Sequence, residues 1–367
     1  MSAQITIPWA KPDFWGNEER YVLEALRSSW ISHGPFVDRL QAQFESHCGI
    51  AHAVATSNGT TALHLAYIAL GLRPGDEIVV PGFAFMAAAN IALHVGAVPV
   101  FADVDPDTWC LTAAAVARKL SPRTRAIVPV HTYGNICDMD SINRLAAEKG
   151  IPVIEDAAEA FGSTYRGAPA GTMSLLGTFS LHATKTVTTG EGGMVVTADA
   201  GLAEKMRLYC SHGVKRLRYW HEVAGHNFRM TNMQAAIGCA QIEKLEQIAA
   251  ARRRMFATYA AHLGDTPGVT MQRFAPEVDA IPWVVAVRLG PAAFPQGRDA
   301  VMARMAAAGI ETRPGFYTPT RMTHLYSATE IPVSDQVSDS VIALPSFASL
   351  TEEQIARVCR ELRSAHR

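Results

Sequence analysis

The chain has 367 residues, 49% of them hydrophobic and 18% charged, which excludes a small stapled scaffold and a disordered polymer and favours two domains. Its 33 basic and 34 acidic residues leave a formal charge of -1, so there is no global attraction to nucleic acid or to an anionic lipid surface.

Between residue 53 and about residue 200, short apolar runs alternate with helical stretches, the rhythm of a mostly parallel sheet with helices on its faces. Strands are expected at Ala53–Thr56, Glu77–Val80, Val98–Ala102, Ala126–His131, Val153–Glu155, Thr178–His182 and Met194–Thr197. Helices are expected at Thr60–Leu70, Phe85–His94, Met139–Glu148 and Ala203–Tyr209. Apolar residues from Met233 to Ile248 recur at helical spacing with no Gly-Pro break, which predicts one long helix over Asn232–Tyr259. Beyond it, a strand at Pro282–Leu289 and helices at Arg298–Ala308 and Glu352–Ser364 suggest a smaller α+β unit. The expected domains are residues 1–250 and 251–367. The six cysteines form no Cys-x-x-Cys pair and no zinc-type spacing with histidine, so buried reduced thiols and no metal are expected. With no basic leader followed by an apolar stretch at Met1–Ala10, and no run of about 18 apolar residues later, a cytoplasmic chain without membrane insertion is expected.

Three segments offer chemistry. Ser57–Ala62 follows a strand and opens a helix; it is either a capped turn or an anion cradle built from the Gly59 and Thr60 amides. Val153–Glu159 brings three acids to the end of an apolar strand, where Asp156 either faces a ligand crevice or caps the next helix with its neighbours. Thr178–Lys185 runs from a strand into a Gly-rich turn, so Lys185 is either an exposed surface amine or a desolvated Schiff-base nucleophile. Cradle, acid and amine together are the three anchors that pyridoxal phosphate requires. Phe83 and Phe85, after the strand at Glu77, offer an aromatic face for its ring or belong to the core.

Blocks along nearly the whole chain resemble the DegT/StrS-type sugar-nucleotide aminotransferases. They include Gly16-Asn17-Glu18, Ala55–His64, Asp105–Trp109, Glu155–Ala160, Thr188–Met194 and Asn227–Asn232. The resemblance implies a fold-type I α/β enzyme: a large domain with a mostly parallel seven-stranded sheet, a smaller C-terminal α+β domain, and pyridoxal phosphate as cofactor. It implies Lys185 as the Schiff-base lysine, Asp156 at the pyridine nitrogen, and Gly59, Thr60 and Ser180 around the phosphate. It further implies Phe83 against the ring, Glu159 near the phenolate oxygen, and Asn227 reaching the neighbouring subunit's cofactor in a homodimer with shared sites. The implied substrates are an amino acid, L-glutamate, and a nucleotide-linked 4-keto-6-deoxyhexose aminated at C4. Several blocks are most similar to the perosamine-forming members, which use a GDP sugar; Leu181–Thr184 departs from their wording and leaves a dTDP-linked sugar as the alternative. A regulatory binding protein on the same fold would have lost the lysine or the acid, and a related dehydrating branch has His at the position of Lys185; the chain keeps both Lys185 and Asp156.

Overall fold

A computed structural model of the chain describes residues 5–325 and 329–366. Its central sheet has the strands β1 (His52–Thr56), β2 (Glu77–Pro81), β3 (Val98–Ala102), β4 (Thr124–Ile127), β5 (Ile154–Asp156), β6 (Leu176–Ser180) and β7 (Gly193–Thr197). They run in the order β1-β7-β6-β5-β4-β2-β3, with β4 and β5 joined through the Ile127–Val153 and Val130–Asp156 bridges. Only β7 runs antiparallel to its neighbours, so the sheet is the mostly parallel seven-stranded one expected.

Period-two alternation sorts the buried side chains to two faces. Ala53, Ala55, Val79 and Ile127 join one apolar cluster, and Val54, Ile78, Val80 and Ala126 the other. Helices cover both faces. Among them are α1 (Glu18–Arg27), α2 (Pro35–Cys48), α3 (Gly59–Leu70), α4 (Ala87–His94), α5 (Met139–Lys149), α6 (Ala200–Cys210) and α7 (Asn232–Ile242). Phe44 of α2, Ile142 of α5 and Cys239 of α7 fill the first cluster, and Leu65 of α3, Ile91 of α4 and Met206 of α6 the second.

The long helix expected over Asn232–Tyr259 is two helices, α7 and α8 (Leu245–Leu263). The break lies at Glu243 and Lys244, where Asn17, Tyr21 and Arg39 all hydrogen-bond the Glu243 carboxylate. Other expected boundaries shift, and the strand expected at Ala126–His131 is β4, which ends at Ile127. The strand at Pro282 starts only at Ala286: Pro282 has no N–H for a ladder, the Trp283 N–H donates to the Tyr133 carbonyl, and the Val285 N–H donates to the Ser346 hydroxyl. The strand expected at Thr178–His182 is β6, two residues earlier.

Beyond α8, the strands β8 (Val269–Met271), β9 (Ala286–Leu289), β10 (Arg313–Pro314) and β11 (Val341–Ala343) form an antiparallel sheet in the order β8-β9-β11-β10. A separate apolar cluster joins it to Tyr259, Leu263, Val358 and Leu362, and also to Ile7, which bridges Ile310. The N-terminal segment thereby reaches across to this unit, and the Trp9 N–H donates to Glu311 at 2.9 Å.

One buried pair ties β5 to the segments on either side of it. The Glu155 carboxylate accepts from the Gly171 and Met173 amides at 2.8 and 2.7 Å, from the Ser174 hydroxyl at 3.0 Å, and lies 3.0 Å from His131 Nε2. Cys137 N–H donates to the other ring nitrogen, so the ring proton sits on Nε2 and faces Glu155. Glu155→Ala leaves these donors buried and unpaired. Its expected effect is a stability loss of about 3 kcal/mol or more, read from the urea unfolding midpoint.

Candidate active site

The C-terminal ends of the parallel strands open into one cavity of about 1240 Å³, which is where an open α/β sheet places its ligand crevice. Gly59, Thr60, Asp156, Glu159, Ser180 and Lys185 all line it.

The cradle is built by the start of α3. Asn58 caps the helix by accepting the Thr61 N–H at 2.8 Å, and Thr61 answers at the Asn58 N–H. The Gly59 and Thr60 amides are the first two of the helix and have no intrahelical acceptor. Two glycines let the backbone crowd here. A Cβ on Gly59 would sit 2.8 Å from Ser180 Cβ, and one on Gly193 would sit 2.3 Å from the Asn58 carbonyl oxygen.

Asp156 ends β5, 4% exposed, with its backbone tied to Pro129 and His131 and its carboxylate accepting the Ala158 N–H at 3.1 Å. Burial pushes its carboxyl up from the ordinary value, against the Ala158 hydrogen bond and the Lys185 charge. The Lys185 side chain is 13% exposed, and its Nζ lies 3.9 Å from Glu159 and 3.4 Å from the centre of the Trp283 ring. Burial pushes the Lys185 amine down, while Glu159 and Asp156 pull the other way. Lys185 is therefore the desolvated amine and not the surface one.

Burial lifts the Glu159 carboxyl to about 7, against Lys185 and against the Tyr133 N–H, which donates to it at 2.7 Å. Tyr133 sits in the left-handed region at φ 60° to make that bond, an uncommon conformation for a side chain of its size. A carboxylate at this distance favours the charged amine. Glu159→Gln is expected to lower the pH at which the absorbance of the bound cofactor changes by about one unit, in a spectrophotometric titration.

Phe83 does not reach the cavity. It is fully buried among Trp109, Tyr133 and Phe316, whereas Phe85, 61% exposed, lies on the cavity wall. Asn227 also lies off this wall; it is exposed and accepts a hydrogen bond from Arg229 at 3.0 Å. Arg313 and Tyr317, a basic and an aromatic candidate for a sugar-nucleotide site, line the cavity, and so do Trp9, Tyr133 and Trp283, which no local motif marks. The basic residues Lys215, Arg216 and Arg218 are exposed and away from it; Lys215 pairs with Glu204.

The donor set fits pyridoxal phosphate: free helix-end amides where a side chain would clash, a buried carboxylate, and a desolvated amine. A family model described as the DegT/DnrJ/EryC1/StrS aminotransferase family matches residues 13–363. The chain belongs to that family. It is a pyridoxal-phosphate-dependent sugar aminotransferase. Two relatives named GDP-perosamine synthase are similar over nearly their whole length: one from Caulobacter vibrioides, 44% identical over 99% of both chains, and one from Escherichia coli O157:H7, 38% identical over 97% of both. The crystal structure of the aminotransferase TlmJ from Streptoalloteichus hindustanus superposes with a TM-score of 0.93 over 98% of both chains at 30% identity. All six cysteines are buried and free, and among the described residues no group of three or more metal-ligating side chains occurs. No helix among the described residues is long and apolar enough to cross a membrane.

Proposed function

We propose that the chain transfers an amino group from L-glutamate to C4 of a GDP-linked 4-keto-6-deoxymannose. The observation that carries the chemistry is the convergence of Lys185, Asp156 and the Gly59–Thr60 amides on one cavity. The choice of sugar rests on the 44% identity to the Caulobacter GDP-perosamine synthase.

Bound pyridoxal phosphate supplies an electron sink for the carbon that loses its proton. The residues of the chain do the rest. Gly59, Thr60 and Ser180 bind the phosphate, and Asp156 holds a proton on the ring nitrogen. Phe85, not Phe83, presents the aromatic face. Lys185 would hold the cofactor through its amine, and its Nζ is the general base and acid that would carry the proton between the two reacting carbons. Asn227 reaches the cofactor phosphate of the neighbouring subunit, so the working unit is a homodimer. Arg313 and Tyr317, both on the cavity wall, meet the charged part of the nucleotide sugar. The chain divides near residue 250, a reading supported by the separate apolar cluster that joins the later part of α8 to the strands and helices after it.

The test is a panel of nucleotide 4-keto sugars assayed with glutamate. Amination of the GDP sugar is expected; amination of dTDP-4-keto-6-deoxyglucose with the GDP sugar untouched overturns the choice of sugar and leaves the transamination standing.

A further inference from the structure

Behind Lys185 lies a buried cation that the roles above do not use. Arg252 of α8 is 4% exposed, and among the described residues no carboxylate lies within ion-pairing distance of it. Its Nη1 donates to the Trp283 carbonyl at 2.8 Å, its Nη2 to the Lys185 carbonyl at 3.4 Å, and its Nε is buried without a partner. Burial pulls the guanidinium down to about 10, with Asp13 opposing, so it is still a cation at neutral pH. Buried guanidinium groups are ordinarily paired, because an unpaired charge in the interior is costly.

What Arg252 touches explains its retention. Trp283 donates its indole N–H to the Thr184 carbonyl at 2.7 Å and carries the Lys185 ammonium on its ring face. The guanidinium thus grips the same turn twice, once at the Lys185 carbonyl and once through the residue on which the amine rests. We propose that Arg252 is a positioning residue for Lys185, clamping the Thr184–Lys185 backbone with Trp283 and setting a fixed positive charge behind the amine.

The charges around Lys185 then oppose one another. Glu159 and Asp156 favour its ammonium form, Arg252 favours the neutral amine, the buried Tyr133 phenol stays protonated, and His182 lies near Glu191 on the lysine's own turn. A neutral amine is the form that attacks a carbonyl, so the arginine offsets the pull of the two acids toward the ammonium form.

This inference rests on Lys185 being the reactive amine, and the test separates the two. Arg252→Met, Arg252→Gln and Arg252→Lys are compared with wild type in two pH titrations: the absorbance of the cofactor-loaded protein, and acetylation of Lys185 in the cofactor-free chain, followed by mass spectrometry of its peptide. The second measurement stands whether or not Lys185 carries the cofactor. Both midpoints are expected to rise by about one pH unit in the Met and Gln variants and to stay near wild type in the Lys variant, which keeps the charge. Should the Met variant fail to fold, the Gln variant decides alone. Wild-type midpoints in the Gln variant, or an equal rise in the Lys variant, overturn the proposal.

Discussion

With Lys185 replaced by alanine, turnover is expected to fall by at least about a thousandfold while the chain still folds and still binds pyridoxamine phosphate. The side chain has two roles, attachment of the cofactor and carriage of the proton, and no neighbour can take both. Glu159, 3.9 Å away, is an acid held by the Tyr133 amide. The fold survives because the turn is held by other atoms: the Lys185 N–H donates to the His182 carbonyl, and Trp283 and Arg252 bond the Thr184 and Lys185 carbonyls. Steady-state rates and a binding titration with pyridoxamine phosphate measure both halves. Activity above about a thousandth of wild type overturns the role of Lys185.

Asp156→Asn is expected to lower kcat/KM by about a hundredfold or more. The substitution keeps size and shape, and the backbone ladder of β5 to Pro129 and His131 does not involve the side chain. What it removes is charge. A neutral amide cannot keep a ring nitrogen protonated, and the electron sink weakens accordingly. The sign of a second effect follows from the same loss: Asp156 favours the charged form of Lys185, so its replacement moves the Lys185 titration to lower pH. A kcat/KM within about threefold of wild type would show that the carboxylate points at nothing.

The parts of this site legible in sequence are those whose chemistry and placement lie in one short segment. Ser57–Thr61 announces a strand-to-helix turn by its own residue types, and β5 announces its crevice end by an apolar run that stops at Asp156. The alternation of Val54, Ile78 and Val80 with their neighbours likewise sorts the faces of the sheet without distant information. Other features depend on residues far away along the chain. Trp283 reaches Thr184 across 99 positions and Arg252 reaches Lys185 across 67, so the sequence around Lys185 does not reveal its support. The break between α7 and α8 has the same origin, since the groups that hold Glu243 come from Asn17, Tyr21 and Arg39. Phe83 and Phe85 both follow β2 and are chemically identical; Phe316 touches both, and only the packing of Trp109 and Tyr133 over Phe83 turns one into core and leaves the other on the cavity wall.

Reduction of the cofactor-loaded protein with borohydride, followed by digestion and mass spectrometry of the peptides, asks directly whether this cavity holds the cofactor on Lys185. The phosphopyridoxyl group is expected on the peptide containing Lys185 and on no other. A label on a different lysine, or an unlabelled Lys185 peptide from protein that carries the cofactor's absorbance, contradicts the assignment of the site.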